Sequence, residues 1–171
     1  MTGPVEIVAL LASPVHRYGG RPRDGALAFD GPESRESIEL RAGLGVVGDR
    51  YFGKRAHAQA SVTIMAVESL EYVARVLGLD ELPDAANTRR NIVTRGLDID
   101  SMRGATFTLD TGSGPVELRA NRPANPCAWM DERLAPGAFR ALRGRGGMRC
   151  TPLTDGVLSL GGATVAPIAS N

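Results

Sequence analysis

The apolar residues of this chain arrive in short runs broken by glycine and proline, and that punctuation limits the fold more than any other feature of the sequence. Val5 to Ala12 is one such run, closed by Ser13-Pro14, and it is too short for a typical helix, so a buried strand is expected. Ser37 to Arg41, Ser61 to Met65, Ala105 to Leu109, Val116 to Ala120, Met148 to Leu153 and Gly156 to Val165 repeat the pattern. Thr111-Gly112-Ser113-Gly114-Pro115 predicts a hairpin between two of these runs, and Gly161-Gly162 predicts a turn or bulge near the end. One segment has a clear helical period. Val67, Leu70, Ala74 and Leu77 share a face, Glu68 and Glu71 suit the N-terminal end, and Gly78 supplies a stop. A shorter helix interrupted by Pro136 is expected within Asp131 to Leu142. Many short strands with few helices predict a mainly β, α+β chain closed into a barrel, not a parallel α/β sheet.

With 171 residues, 43% of them hydrophobic, the chain can bury one substantial core, so a single domain over 1–171 is expected, with its core at about 5–165. The 20 basic and 19 acidic residues nearly cancel, which argues against a nucleic-acid or membrane partner and makes any basic site a local one. Lys54 is the single lysine, and the other positive charges are arginines. Two cysteines do not make a disulfide framework, and the apolar stretch from Ile7 to Ala12 is too short to span a bilayer, so a cytoplasmic protein is expected.

Two separated clusters carry the candidate chemistry. The first runs from Thr88 through Arg89, Arg90, Asn91, Ile92, Val93 and Thr94 to Arg95 and Gly96. Read as an extended segment, it puts Arg89 and Asn91 on one face, where a guanidinium and an amide can hold a phosphate, and turns Arg90 elsewhere. The second, Asn121 to Cys127, places one thiol after Pro126 with Arg122 near it. A thiolate is a strong nucleophile and a soft metal ligand, although an inert buried thiol is the commoner fate of a lone cysteine. Cys150, in an alternating strand, is expected to face packing. His16 and His57 lack metal-ligand spacing, and neither a Walker loop nor a dinucleotide fingerprint occurs.

Taken in order, Gly48-Asp49-Arg50, Arg89 to Val93 with Gly96, the Gly104 turn, Pro126-Cys127 and Gly156 to Gly161 resemble the MOSC family, named for the C-terminal domain of molybdenum cofactor sulfurases. The resemblance extends roughly from Val5 to Val165 and implies a mixed β-barrel that binds the molybdenum cofactor. It implies Cys127 as the ligand to molybdenum. It also implies Arg89 and Asn91 at the pterin phosphate, with Ser13, His16, Arg17 and Arg50 as further cofactor contacts. By the same resemblance, N-hydroxylated bases, amidoximes or N-oxides are the small-molecule substrates, and a separate flavin or iron–sulfur protein donates electrons. Arg95 or Arg122, together with Cys127, would then form the catalytic set, with the arginines stabilising charge on the substrate oxygen.

Departures from the family pattern matter as well. Arg90-Asn91 replaces a more usual Gly-Glu-Asn signature, and Tyr51 stands where many relatives carry His. No motif surrounds Lys54, so pyridoxal phosphate is not expected. Two other readings stay open at this point: a carrier of the cofactor or of a persulfide on Cys127, and a cofactor-free thiol hydrolase pairing Cys127 with His57.

Overall fold

The structure, a computed structural model, describes residues 4–169; residues 1–3 and 170–171 of the expected 1–171 span lie outside the described residues. Ten strands form in chain order: β1 (Val5–Leu10), β2 (Ser37–Arg41), β3 (Gly45–Val46), β4 (Val62–Ala66), β5 (Ile92–Arg95), β6 (Thr106–Asp110), β7 (Val116–Pro123), β8 (Met148–Pro152), β9 (Gly156–Ser159) and β10 (Gly161–Ile168). Three helices join them, α1 (Val67–Leu77), α2 (Trp129–Arg133) and α3 (Ala138–Ala141). Seven strands close a barrel in the order β1-β10-β6-β7-β8-β4-β5, and β3-β2-β9 make a separate sheet. The expected mainly β barrel is therefore the fold. Closure leaves no free edge on the main sheet, which is how a sheet of short strands avoids unpaired backbone groups.

Barrel closure follows from alternation. Ile7, Leu10, Val62, Ile64, Ile92, Phe107, Leu109, Val116, Leu118 and Met148 are all buried in one cluster; buried and more exposed residues alternate along β6, β8 and the first part of β7, while β4 and most of β5 are buried on both faces. Phe107 and Leu118 pair across the β6–β7 hairpin that the glycine-rich turn predicted. The one parallel pair among the described residues, β4 with β5, needs a crossover, and α1 lies within it. Val67, Leu70 and Val73 bury its inner face, while Gly78, at φ 63°, ends it by donating its N–H to Ala74 O. A second apolar cluster, including Leu70, Val73, Trp129, Met130, Ala138 and Leu142, holds α2 and α3 against α1.

The segment before β5 departs from the extended reading. Residues Ala85–Thr88 form a 3₁₀ turn, and Arg89 closes it in the left-handed region at φ 60°, the one non-glycine residue among those described to do so. Regular strand begins at Ile92. Arg89 and Asn91 consequently do not share a face. The turn is imposed by long-range bonds: Arg89 pairs with Glu33 at 2.6 Å and donates to Val15 O at 3.0 Å, while Asn91 plugs into the barrel wall.

Asn91 is 2% exposed, and all of its amide capacity points inward. Its Oδ1 accepts from Thr63 N at 2.9 Å and Thr63 Oγ1 at 3.0 Å, and its Nδ2 donates to Leu11 O and Asp49 Oδ2, each at 3.1 Å. One side chain thus joins β4, the segment after β1 and the loop after β3. Removing it would orphan several buried groups at once. Asn91→Ala is expected to lower the unfolding free energy by about 2–4 kcal/mol, read from urea denaturation midpoints at constant m.

Candidate functional site

The loops that leave β1, β3 and β7 meet the turn that enters β5, and together they line a pocket of about 170 Å³. His16, Arg17 and Tyr18 come from the first loop and Arg50 and Tyr51 from the second. Thr88, Arg89 and Arg90 come from the turn, Asn125 to Cys127 from the third loop, Met130 from α2 and Arg149 from β8. Two sequence clusters distant along the chain therefore share one cavity. Its lining holds five arginines and no carboxylate.

Those five arginines divide into two electrostatic groups. Arg17 and Arg89 both pair with Glu33, at 3.0 and 2.6 Å, so one carboxylate behind the wall partly cancels them. Burial alone would raise Glu33, but hydrogen bonds from Ser13, Arg89 and Arg17 outweigh it and hold the carboxyl down at about 2. Arg50 has Asp49 at 3.3 Å. Among the described residues no carboxylate forms an ion pair with Arg90 or Arg149. Arg90 is held below its ordinary value, at about 10, first by burial and then by the charge of Arg149, while Cys127 pulls the other way. It remains protonated at neutral pH. The Arg149 Nε is buried and has no hydrogen-bond partner. Guanidinium charge that no carboxylate balances favours an anion over a cation in this cavity.

Arg90 does a second task. Its Nε donates to Gly146 O at 2.9 Å and its guanidinium donates to Ala124 O at 2.8 Å and Thr88 O at 3.3 Å. These bonds tie the turn before β5 to the loop that carries Cys127 and to the glycine turn before β8. Gly146 is required there because a Cβ would overlap Ala124 O and crowd the Pro126 ring. Asp100 secures the same turn by accepting from Gly147 N at 2.9 Å.

The two thiols have opposite environments. Cys127 is exposed in the pocket, and Cys150 is fully buried in the barrel core, where desolvation pushes its thiol up to about 12. His16 is lowered by burial first and by the Arg50 charge next, which leaves the imidazole neutral at physiological pH. Tyr51 stands between the histidines: its ring lies edge-on to His16 at 5.9 Å and tilted against His57 at 4.4 Å, with Arg50 over its face at 4.6 Å.

Several expected site residues take other places. Asn91 does not line the pocket, because its hydrogen bonds are spent inside the wall. Ser13 is buried, its hydroxyl turned to Val15 and Glu33, and stands behind the lining. Arg95 lies at the far end of β5, exposed and paired with Glu71 of α1 at 2.8 Å. Arg122 is exposed on β7 and outside the pocket. Neither of the last two can stabilise charge there. His57 is outside the lining, and among the described residues no hydrogen bond joins it to Cys127, so a Cys127–His57 pair is not assembled. Arg149 is a lining residue that the sequence reading missed, although a signal was there: in a strand where Cys150 faces the core, its neighbour must face the other way.

A MOSC domain family model matches residues 47–163, which covers most of the barrel and the Cys127 loop. The chain belongs to the MOSC domain family. Among solved structures, the YuaD protein of Bacillus subtilis superposes with a TM-score of 0.74 over 99% of each chain at 15% identity. YiiM of Geobacillus stearothermophilus gives 0.64 at 15% identity, covering 96% of this chain and 75% of its own, and Escherichia coli YiiM gives 0.61 at 19%, covering 100% and 72%. At these identities the likeness is one of fold. No curated protein matches the sequence.

Two measurements check the site. A colorimetric disulfide reagent at pH 7 is expected to modify one thiol quickly in the native protein and none in Cys127→Ala, with Cys150 reacting only after unfolding. Glu33→Gln probes the paired half of the wall. Because the folded-state carboxyl sits near 2 against an ordinary 4.5, its contribution to stability is complete above pH 4.5 and fades as the pH falls toward 2. The stability gap between wild type and Glu33→Gln should close across that window, and a gap independent of pH would remove the ion pairs from the account.

Proposed function

We propose that this MOSC protein binds the molybdenum cofactor in the Cys127 pocket and reduces N-hydroxylated compounds with electrons from a separate donor protein. The single observation that supports it is the composition of one cavity, which brings together an exposed thiol and arginines lacking carboxylate partners. That donor set fits an anionic ligand with a soft-ligand metal at one end. The cavity is smaller than the roughly 300 Å³ at which enclosing sites for drug-sized ligands begin, so a pterin-sized group would be held by its charged ends and leave a face in solvent.

Cys127 would hold the metal. Arg149 and Arg90 would hold the phosphate, with Arg50 beside them, because Arg17 and Arg89 already answer to Glu33 and Asn91 is unavailable. The bound group would supply the two-electron chemistry at its metal. The overall change is R–NHOH + 2e⁻ + 2H⁺ giving R–NH₂ and water. His16, kept neutral, offers the substrate a hydrogen bond without adding charge, and the Tyr51 ring covers the Arg50 guanidinium at the mouth of the pocket. The arginines that line the cavity, and not Arg95 or Arg122, would stabilise negative charge on the substrate oxygen. Two unpaired cysteines suit the cytoplasm, and no helix among the described residues is long and apolar enough to cross a membrane.

The open mouth and exposed thiol also suit a carrier, which would load the cofactor and pass it to an acceptor without reducing a hydroxylamine. Protein made in a host that synthesises the cofactor separates these readings. Wild type is expected to carry molybdenum and reduce a hydroxylated base when given a chemical reductant; Cys127→Ala should lose the metal, and Arg149→Met should lose at least about tenfold in loading. Equal molybdenum content in wild type and Cys127→Ala would remove the ligand role. Loading with transfer but no reduction would leave the carrier.

A further inference from the structure

A second charged surface lies outside the pocket, on α1, α3 and the turn that follows. Arg75, Arg140, Arg143 and Arg145 are all exposed there, and among the described residues none of them forms an ion pair. Two aromatic rings hold three of them in place. Arg145 and Arg75 lie over Tyr72 at 4.2 and 5.5 Å, and Arg143 lies over Phe139 at 5.3 Å. A guanidinium fixed on a ring loses less freedom when it meets a carboxylate than one on a free side chain. Between them runs a shallow groove floored by Val76 and Leu77, with Val76 48% exposed. Gly137 lets α3 approach α1 closely, since a Cβ there would press on Leu77 at 3.0 Å.

This face shares one turn with the pocket wall, where Arg90 donates to Gly146 O. Arg145 is followed by Gly146, whose backbone packs against Ala124 and Pro126, and Pro126 precedes Cys127. The whole chain carries a net charge of only +1, so four arginines without an ion pair on one face are a local concentration and not a general excess.

We propose that this arginine face docks the acidic surface of the electron-donor protein, with an apolar side chain of the donor in the Val76–Leu77 groove. The inference rests on the reductase reading above, which requires two electrons from outside the chain. Charge complementarity selects the occupant: the rim is cationic and pre-ordered, the floor apolar, and the surface too open to enclose a small anion. A nucleic acid would call for a longer basic track than four residues on two short helical turns and one helix.

The test uses cofactor-loaded protein, a hydroxylated base as substrate, and three reductants: reduced methyl viologen, a reduced acidic [2Fe–2S] ferredoxin and a reduced acidic flavodoxin. With viologen, wild type and the variant R75E/R140E/R143E/R145E should turn over equally, since none of the four residues lines the pocket. With an acidic protein donor the quadruple variant should lose at least about tenfold in rate at low salt, and the wild-type rate should fall as salt rises. The matching variant with lysine at all four positions should keep its rate within about twofold. Equal donor-driven rates in wild type and the glutamate variant overturn the docking face, as does a wild type driven by viologen but by neither protein donor. Oligonucleotide binding lost in the glutamate variant, with donor-driven rates unchanged, overturns it in favour of a nucleic acid. A wild type inert even with viologen sinks the reductase reading and this inference with it, an outcome distinguishable from failure of the face alone.

Discussion

Asn91 and Asp49 meet inside the wall of the barrel, and most of the pocket depends on that contact. The Asp49 carboxylate accepts from Ser13 N, Tyr51 N, Arg50 and Asn91 Nδ2, while Asn91 also grips Thr63 and Leu11. Each group is satisfied by another, so the network is worth keeping in a low-dielectric wall where an unmatched member would be costly. Its geometric result is that the loops after β1 and β3 are pinned beside the start of β5. Arg50 and Tyr51 on one side, and Arg89 and Arg90 on the other, then have one direction to face. The strained Arg89 backbone is a local cost of that arrangement, offset by its bonds to Glu33 and Val15.

Much of the fold was readable from period and punctuation alone. Strands from Val5, Ser37, Val62, Thr106, Val116 and Met148, the helix from Val67 and the hairpin turn at 111–115 reflect local rules that the closed sheet does not override. The site was readable in part. The Arg89–Arg90 and Cys127 clusters do meet, but Arg89 and Asn91 do not share the expected face, because the segment that holds them is a turn and not a strand. A carboxylate far away in sequence, Glu33, decides what Arg89 does, and Thr63, Leu11 and Asp49 decide what Asn91 does. No local pattern in 88–96 carries that information. Arg95 was drawn away for the same kind of reason, by Glu71 on a helix that only the crossover brings alongside. Cys150 and Arg149 mark the opposite case, where simple alternation in a true strand sorts a core thiol from a pocket cation.

The division of arginines follows from where carboxylates are placed behind them. Glu33 and Asp49 anchor Arg17, Arg89 and Arg50 as parts of the wall, which lets those charges shape the cavity without needing a ligand. Arg90 is anchored by carbonyl oxygens instead, and so keeps its full charge while it ties the Cys127 loop to its neighbours. Arg149 keeps both its charge and a free donor. The same logic separates the pocket from the outer face, where rings and not carboxylates hold the guanidiniums, leaving their charge available at the surface.

The central claim is that one cavity grips a metal through Cys127 and an anionic tail through Arg90 and Arg149. Anomalous diffraction at the molybdenum edge, from crystals of protein isolated from a host that makes the cofactor, tests this most directly. A peak at bonding distance from the Cys127 sulfur, with phosphate density against the Arg149 guanidinium, is the result this account predicts. A peak elsewhere on the molecule, or metal-replete protein with the Cys127 thiol free, would contradict it.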